Sequence, residues 1–143
     1  MKRVIVALLL MTATLAHAEP PKRIITIGGA LTEIVYALGE ESRIVGNDTT
    51  SLYPQHAETL PKVGYHRALS SEGILSLNPD AVILTDEAGP PTVIRQLEST
   101  GVTILKLKAG RSIEDVKQSV KAIGQMLERE QEAIALNVML DKD

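Results

Sequence analysis

With 143 residues, no Cys, Phe or Trp and only 2% aromatics, the chain builds its core from Ile, Leu, Val and Ala. It can form neither a disulfide nor a cysteine-held metal site. Acidic residues number 18 against 15 basic, and without Lys2 and Arg3 the basic count falls to 13, a net charge of −5 that argues against nucleic acid as a partner.

The first 18 residues read as a signal peptide: Lys2 and Arg3, then an apolar run from Val4 to Leu15, then Ala16-His17-Ala18 before Glu19. That run falls short of the roughly 20 apolar residues a membrane span needs, and no later segment is apolar enough. The expected mature chain starts at Glu19 and is exported to the periplasm, soluble and without a cysteine-linked lipid anchor.

About 125 residues then remain, which suits one domain with one core. Residues 19–128 read as an α/β lobe. Arg23 to Ile27 is a β-branched strand stopped by Gly28-Gly29, and Leu31, Ile34, Val35 and Leu38 mark one face of a helix ending at Gly39. Ile44 to Gly46 is a second, shorter strand. The polar stretch Asn47 to Leu69, with Pro54 and Pro61, is long for a plain connection and points to function.

Ser70 is expected to cap a helix with Glu72 in its first turn, ended by Asn78-Pro79. Ala81 to Thr85 follows as a strand, Pro91 to Thr100 as a helix closed by Gly101, and Val102 to Leu107 as a strand. Ser112 caps an amphipathic helix carrying Val116, Val120, Ile123 and Leu127, and Gln131 to Leu140 is a last helical segment. Apolar strands separated by helical crossovers predict a three-layer parallel sheet with helices on both faces. Ligands of such sheets sit at the carboxyl ends of the strands, where the loops after Ile27, Gly46 and Thr85 lie.

Motifs for catalysis are missing. Gly28-Gly29 lacks the spacing of a dinucleotide fingerprint and reads as a tight turn, and neither a P-loop nor a nucleophile elbow is present. His56 and His66, ten residues apart without cysteine partners, each read as surface residues. The most distinctive stretch is Val63-Gly64-Tyr65-His66-Arg67, in which a glycine turns the chain and presents a phenol, an imidazole and a guanidinium.

Together with Asp48-Thr49-Thr50-Ser51-Leu52-Tyr53-Pro54 and the run from Leu60 to Asp80, this loop resembles the periplasmic haem-binding proteins, receptors of bacterial haem-uptake ABC transporters. The resemblance extends from Ile25 to about Glu128. The Gly-Tyr-x-Arg loop and the Ser-x-Glu-Gly helix start are its haem-specific part, whereas Thr32-Glu33 and Asn78-Pro79-Asp80 are shared with siderophore and cobalamin receptors. The resemblance implies a binding module without catalysis, with ferric haem as the carried ligand and an inner-membrane permease as partner.

It implies further that Tyr65 is the axial ligand of the haem iron, a phenolate oxygen suiting a hard ferric centre. Arg67 then supplies a cation that favours the phenolate, or grips a propionate in a bidentate pair. His66 ranks second as ligand, imidazole being the commoner haem partner. Glu72 matches the exposed carboxylate that docks on the permease.

Members of this family have two α/β lobes joined by a long helix. Residues 129–143 match the start of that helix or an aberrant tail, so the C-terminal lobe is expected to be absent and a haem held by this lobe to keep one face in water. Two other readings stay open. One is a receptor lobe for cobalamin or an iron siderophore, and the other a small exported α/β enzyme or interaction domain.

Overall fold

In the computed structural model, which describes residues 17–142, the four strands form one parallel sheet in the order β2-β1-β3-β4. They are β1 (Ile24–Ile27), β2 (Ile44–Asn47), β3 (Ala81–Thr85) and β4 (Thr103–Leu107). The expected signal peptide lies, up to residue 16, outside the described residues. Among those described, no helix is long and apolar enough to cross a membrane.

The sheet is buried on both faces because its strands alternate two sets of apolar side chains. Ile24 on β1 with Ala81 and Ile83 on β3 points to a layer made by α1 (Gly29–Ala37), α5 (Ile113–Met126) and α6 (Glu130–Leu140). Ile25 and Ile27 with Val82 and Leu84 point the other way, against α3 (Ser71–Leu75) and α4 (Pro91–Ser99). All four residues of β1 are fully buried, and each large aliphatic side chain so buried contributes about 1.5–3 kcal/mol. The two-sided α/β sheet expected from the sequence is therefore the fold observed.

Chain order decides where a ligand can sit. The chain leaves β1 for β2 on one side, then returns to pair β3 on the other side of β1. The two crossovers diverge at the carboxyl ends of β1 and β3, opening the crevice that parallel sheets offer to ligands. The loops after β1, β2, β3 and β4 all reach this edge.

Two helix starts follow their sequence signals. The Ser70 hydroxyl accepts a hydrogen bond from the Gly73 N–H at 3.3 Å, and Ser112 accepts from the Asp115 N–H at 3.1 Å; such caps are worth about 1 kcal/mol. The structure adds what periodicity could not show, a single helical turn α2 (Gln55–Glu58) inside the long polar stretch and a 3-10 turn over Glu41–Arg43. Helix α3 ends at Leu75, short of the Asn78-Pro79 stop.

Helices α5 and α6 form an antiparallel hairpin, shown by the Lys117–Asp141 ion pair at 2.7 Å between the start of one and the end of the other. At the base of the hairpin Arg129 pairs with the buried carboxylate of Glu40, which Arg43 also engages. Burial pushes the Glu40 carboxyl up, but the hydrogen bonds from Arg129 and Arg43 outweigh it and hold the group below its usual range.

Candidate functional site

The site is built on a buried carboxylate, Asp48, to which the sequence reading assigned no role beyond its place in the Asp48–Pro54 run. Asp48 follows β2 directly and its side chain is fully buried. Its Oδ1 accepts from the Gly28 N–H at 3.0 Å and the Ser51 hydroxyl at 2.9 Å, and its Oδ2 from the Thr50 hydroxyl at 2.7 Å. Ser51 and Thr32 share a hydrogen bond of 2.7 Å, and so do Thr32 and Thr26. A polar chain thus runs from the middle of β1 to the loop after β2, with its members satisfying one another.

The two glycines after β1 serve this network. Gly28 has φ 120°, and a side chain at Gly29 would place a Cβ 2.7 Å from the Thr50 carbonyl oxygen. Only a glycine pair lets the start of α1 approach the Asp48–Thr50 loop this closely. The expectation of a tight turn rather than a dinucleotide fingerprint has this physical basis.

On top of that base lies the loop carrying Tyr65. Gly64 has φ 103°, a conformation that turns the chain outward, and its carbonyl accepts the Thr49 N–H at 3.0 Å. The carbonyl of Tyr65 accepts the Ala68 N–H at 2.8 Å, and that of His66 accepts the Gly89 N–H at 2.8 Å. The loop is thereby pinned to the segment after β2 on one side and to the segment after β3 on the other. These bonds fix the loop's backbone, and with it the points from which Tyr65, His66 and Arg67 project.

Tyr65 stands 47% exposed at this edge, with its ring edge-on to His66 at a centroid distance of 4.3 Å. His66 departs from the sequence reading: its side chain is only 16% exposed, and its Nδ1 lies 3.9 Å from Asp48 Oδ2. Nδ1 is buried without a hydrogen-bond partner among the described residues. The two rings pack against each other, His66 on the inner side next to the Asp48 carboxylate and Tyr65 on the outer, more exposed side. His56 does lie on the surface, its Nδ1 2.7 Å from the Tyr36 hydroxyl.

Arg67 is held on Glu87 at 3.2 Å, and Arg111 engages the other oxygen of the same carboxylate. Hydrogen bonds from Arg111 and then Arg67 keep the Glu87 carboxyl below its usual range. Glu72 is exposed in the first turn of α3, apart from this group. The structure thus gathers Tyr65, His66 and Arg67, adds Asp48, Glu87 and Arg111, and leaves Glu72 separate. The signal for the added residues was available, since each follows the end of a parallel strand within a few positions. A broad apolar groove of about 490 Å³ lies elsewhere, between α1 and the α5–α6 hairpin, and none of these residues lines it.

A family model described as periplasmic binding protein matches residues 24–142. The chain belongs to that family. Among its relatives, an uncharacterised ABC transporter substrate-binding lipoprotein of Bacillus subtilis is 32% identical over 75% of this chain and 34% of its own length. A vitamin B12-binding protein of Vibrio vulnificus is 28% identical over 87% of this chain and 45% of its own. A crystal structure of a periplasmic heme binding protein from Pseudomonas aeruginosa superposes with a TM-score of 0.83 at 44% identity, over 85% of this chain and 44% of that one. The chain therefore spans between a third and a half of the length of these relatives. All three are named as proteins that bind a substrate rather than as enzymes.

Proposed function

We propose that this chain is the N-terminal lobe of a periplasmic haem receptor that delivers haem to an ABC transporter permease. The observation that carries the reading is the position of Tyr65, a half-exposed phenol on a backbone-pinned loop at the topological switch point of the sheet. The 44% identity to a heme binding protein supports the same ligand.

In this reading the Tyr65 oxygen binds ferric iron on one face of the haem, and the metal's charge favours the phenolate. Arg67 meets a propionate at the rim of the site. His66, turned inward toward Asp48, backs the Tyr65 ring from below, which ranks it behind Tyr65 as a ligand. Glu72, exposed at the start of α3, is the contact for the permease. Residues 1–18 act as the export signal, residues 19–128 as the binding lobe, and α6 as the start of the helix leading to a second lobe in longer relatives.

A second reading, a lobe for cobalamin, is favoured by the vitamin B12-binding relative. Titration with ferric haem separates the two. A high-spin phenolate-type spectrum that Tyr65→Phe abolishes is the expected result. Identical behaviour of the two proteins would overturn the haem reading and favour the second.

A further inference from the structure

The loop after β3 joins two cationic segments that lie far apart in sequence. Backbone hydrogen bonds tie it to the Tyr65 loop, with Gly89 N–H on the His66 carbonyl at 2.8 Å and Leu69 N–H on the Gly89 carbonyl at 3.0 Å. On its other side Asp86 N–H donates to the Leu107 carbonyl at 2.7 Å, and Asp86 Oδ1 accepts from the Ala109 N–H at 3.0 Å. These bonds fix the loop after β4 beside the loop after β3, which is what sets Arg111 against Glu87.

The result is two guanidiniums on the two oxygens of one carboxylate, Arg67 on Oε2 and Arg111 on Oε1. The three side chains carry one net positive charge. Both arginines are more than half exposed, at 59% and 75% of the side chain, so the pairs contribute little to folding. Each guanidinium has five N–H donors in a planar fork and spends few of them on Glu87, leaving the remainder for a planar carboxylate arriving from solvent.

We propose that Arg111 is a second carboxylate-gripping residue of this site, paired with Arg67 across Glu87, and that the pair selects a tetrapyrrole with acidic side chains over one whose acids are esterified or amidated. The proposal rests on the haem reading above and adds its specificity. Glu87 keeps the two guanidiniums a short distance apart and facing the same edge as Tyr65, so one arginine is available for each of two acid groups on a ligand whose centre Tyr65 holds. An uncharged analogue of the same shape gains nothing from either arginine.

The test is a titration of the purified chain with ferric haem and with ferric haem dimethyl ester, beside the Arg111→Gln variant. The unmodified chain is expected to bind haem about tenfold more tightly than the ester, and the variant to lose about fivefold for haem while keeping its affinity for the ester. An unchanged thermal midpoint of Arg111→Gln shows that the loss is not one of folding. Equal losses for both ligands, or no loss for haem, would overturn the role of Arg111 and leave Tyr65 as ligand untouched. Failure of the unmodified chain to give a phenolate-type spectrum with either ligand would remove the haem reading and this proposal together.

Discussion

The two edges of the sheet use the same residue types to opposite ends. At the amino edge charges are neutralised close to home: Glu40 is buried between Arg43 and Arg129, and Asp80 accepts the backbone N–H groups of Lys22 and Arg23 at 2.8 and 2.9 Å. The Arg23 guanidinium donates to the carbonyls of Leu77 and Asn78. At the carboxyl edge the phenol of Tyr65 faces solvent, His66 Nδ1 stops 3.9 Å short of Asp48, and the two arginines on Glu87 are both more than half exposed. The two Tyr–His pairs repeat the contrast, for Tyr36 and His56 are closed by a 2.7 Å hydrogen bond while Tyr65 and His66 touch only ring to ring. The carboxyl edge thus leaves a phenol and two guanidiniums facing solvent above a satisfied base, whereas the amino edge closes its charges on one another.

The strongest way to break this contrast is at the two tyrosines. Tyr65→Phe is expected to abolish the phenolate-type haem spectrum, and Tyr36→Phe to leave it unchanged. Loss of the band in both variants would mean that it reports the fold rather than a ligand.

Next in size is Asp48→Ala, which strands the donors of Gly28, Thr50 and Ser51 beneath the open edge. A loss of about 2–4 kcal/mol in urea unfolding is expected, from several buried hydrogen bonds left unmade. A loss within about 0.5 kcal/mol would show that Asp48 serves the site and not the fold.

At the amino edge, Glu40 gives a pH signature. Its folded carboxyl is held below the unfolded value, so its contribution is present above the unfolded pKa and is lost as pH falls through the folded one. Stability should therefore drop in the acid range below the ordinary carboxylate pKa, and Glu40→Gln should flatten part of that drop at a cost of about 1.5–3 kcal/mol at neutral pH, the worth of a hydrogen bond to a charged group. A variant with the same acid limb as the unmodified chain would rule Glu40 out as its source.

A smaller effect is expected for the closed pair, where Tyr36→Phe removes one hydrogen bond worth about 0.5–1.5 kcal/mol. The smallest stability change belongs to Glu72→Ala, about 0.3–1 kcal/mol from the helix start. Haem binding should survive that change while docking on the permease weakens. Undiminished docking in a pull-down with the permease would remove Glu72 from the interface.

How much of this was legible beforehand depended on the kind of signal. The strands and five of the helices announced themselves through apolar periodicity and through Ser70, Ser112 and the glycine stops, because these act over a turn or two of chain. Helix α2 did not, being one turn long with only Ala57 of its four residues buried. Tyr65, His66 and Arg67 were conspicuous as adjacent polar residues after a glycine. Which of them turned inward was not legible, because it depends on Asp48, 18 positions before His66 and on a different loop.

What the sequence by itself determined is therefore the local part: the element types, the aliphatic core, and the loop that displays a phenol. Those follow from spacing, backbone freedom and composition, which are properties of neighbouring residues. Only the tertiary structure decided that β1 lies between β2 and β3, that Asp48 sits under His66, and that Arg67 meets Arg111 on Glu87. Those are contacts between loops separated by 18 to 44 residues, which share an edge because parallel strands deliver their carboxyl ends to the same side.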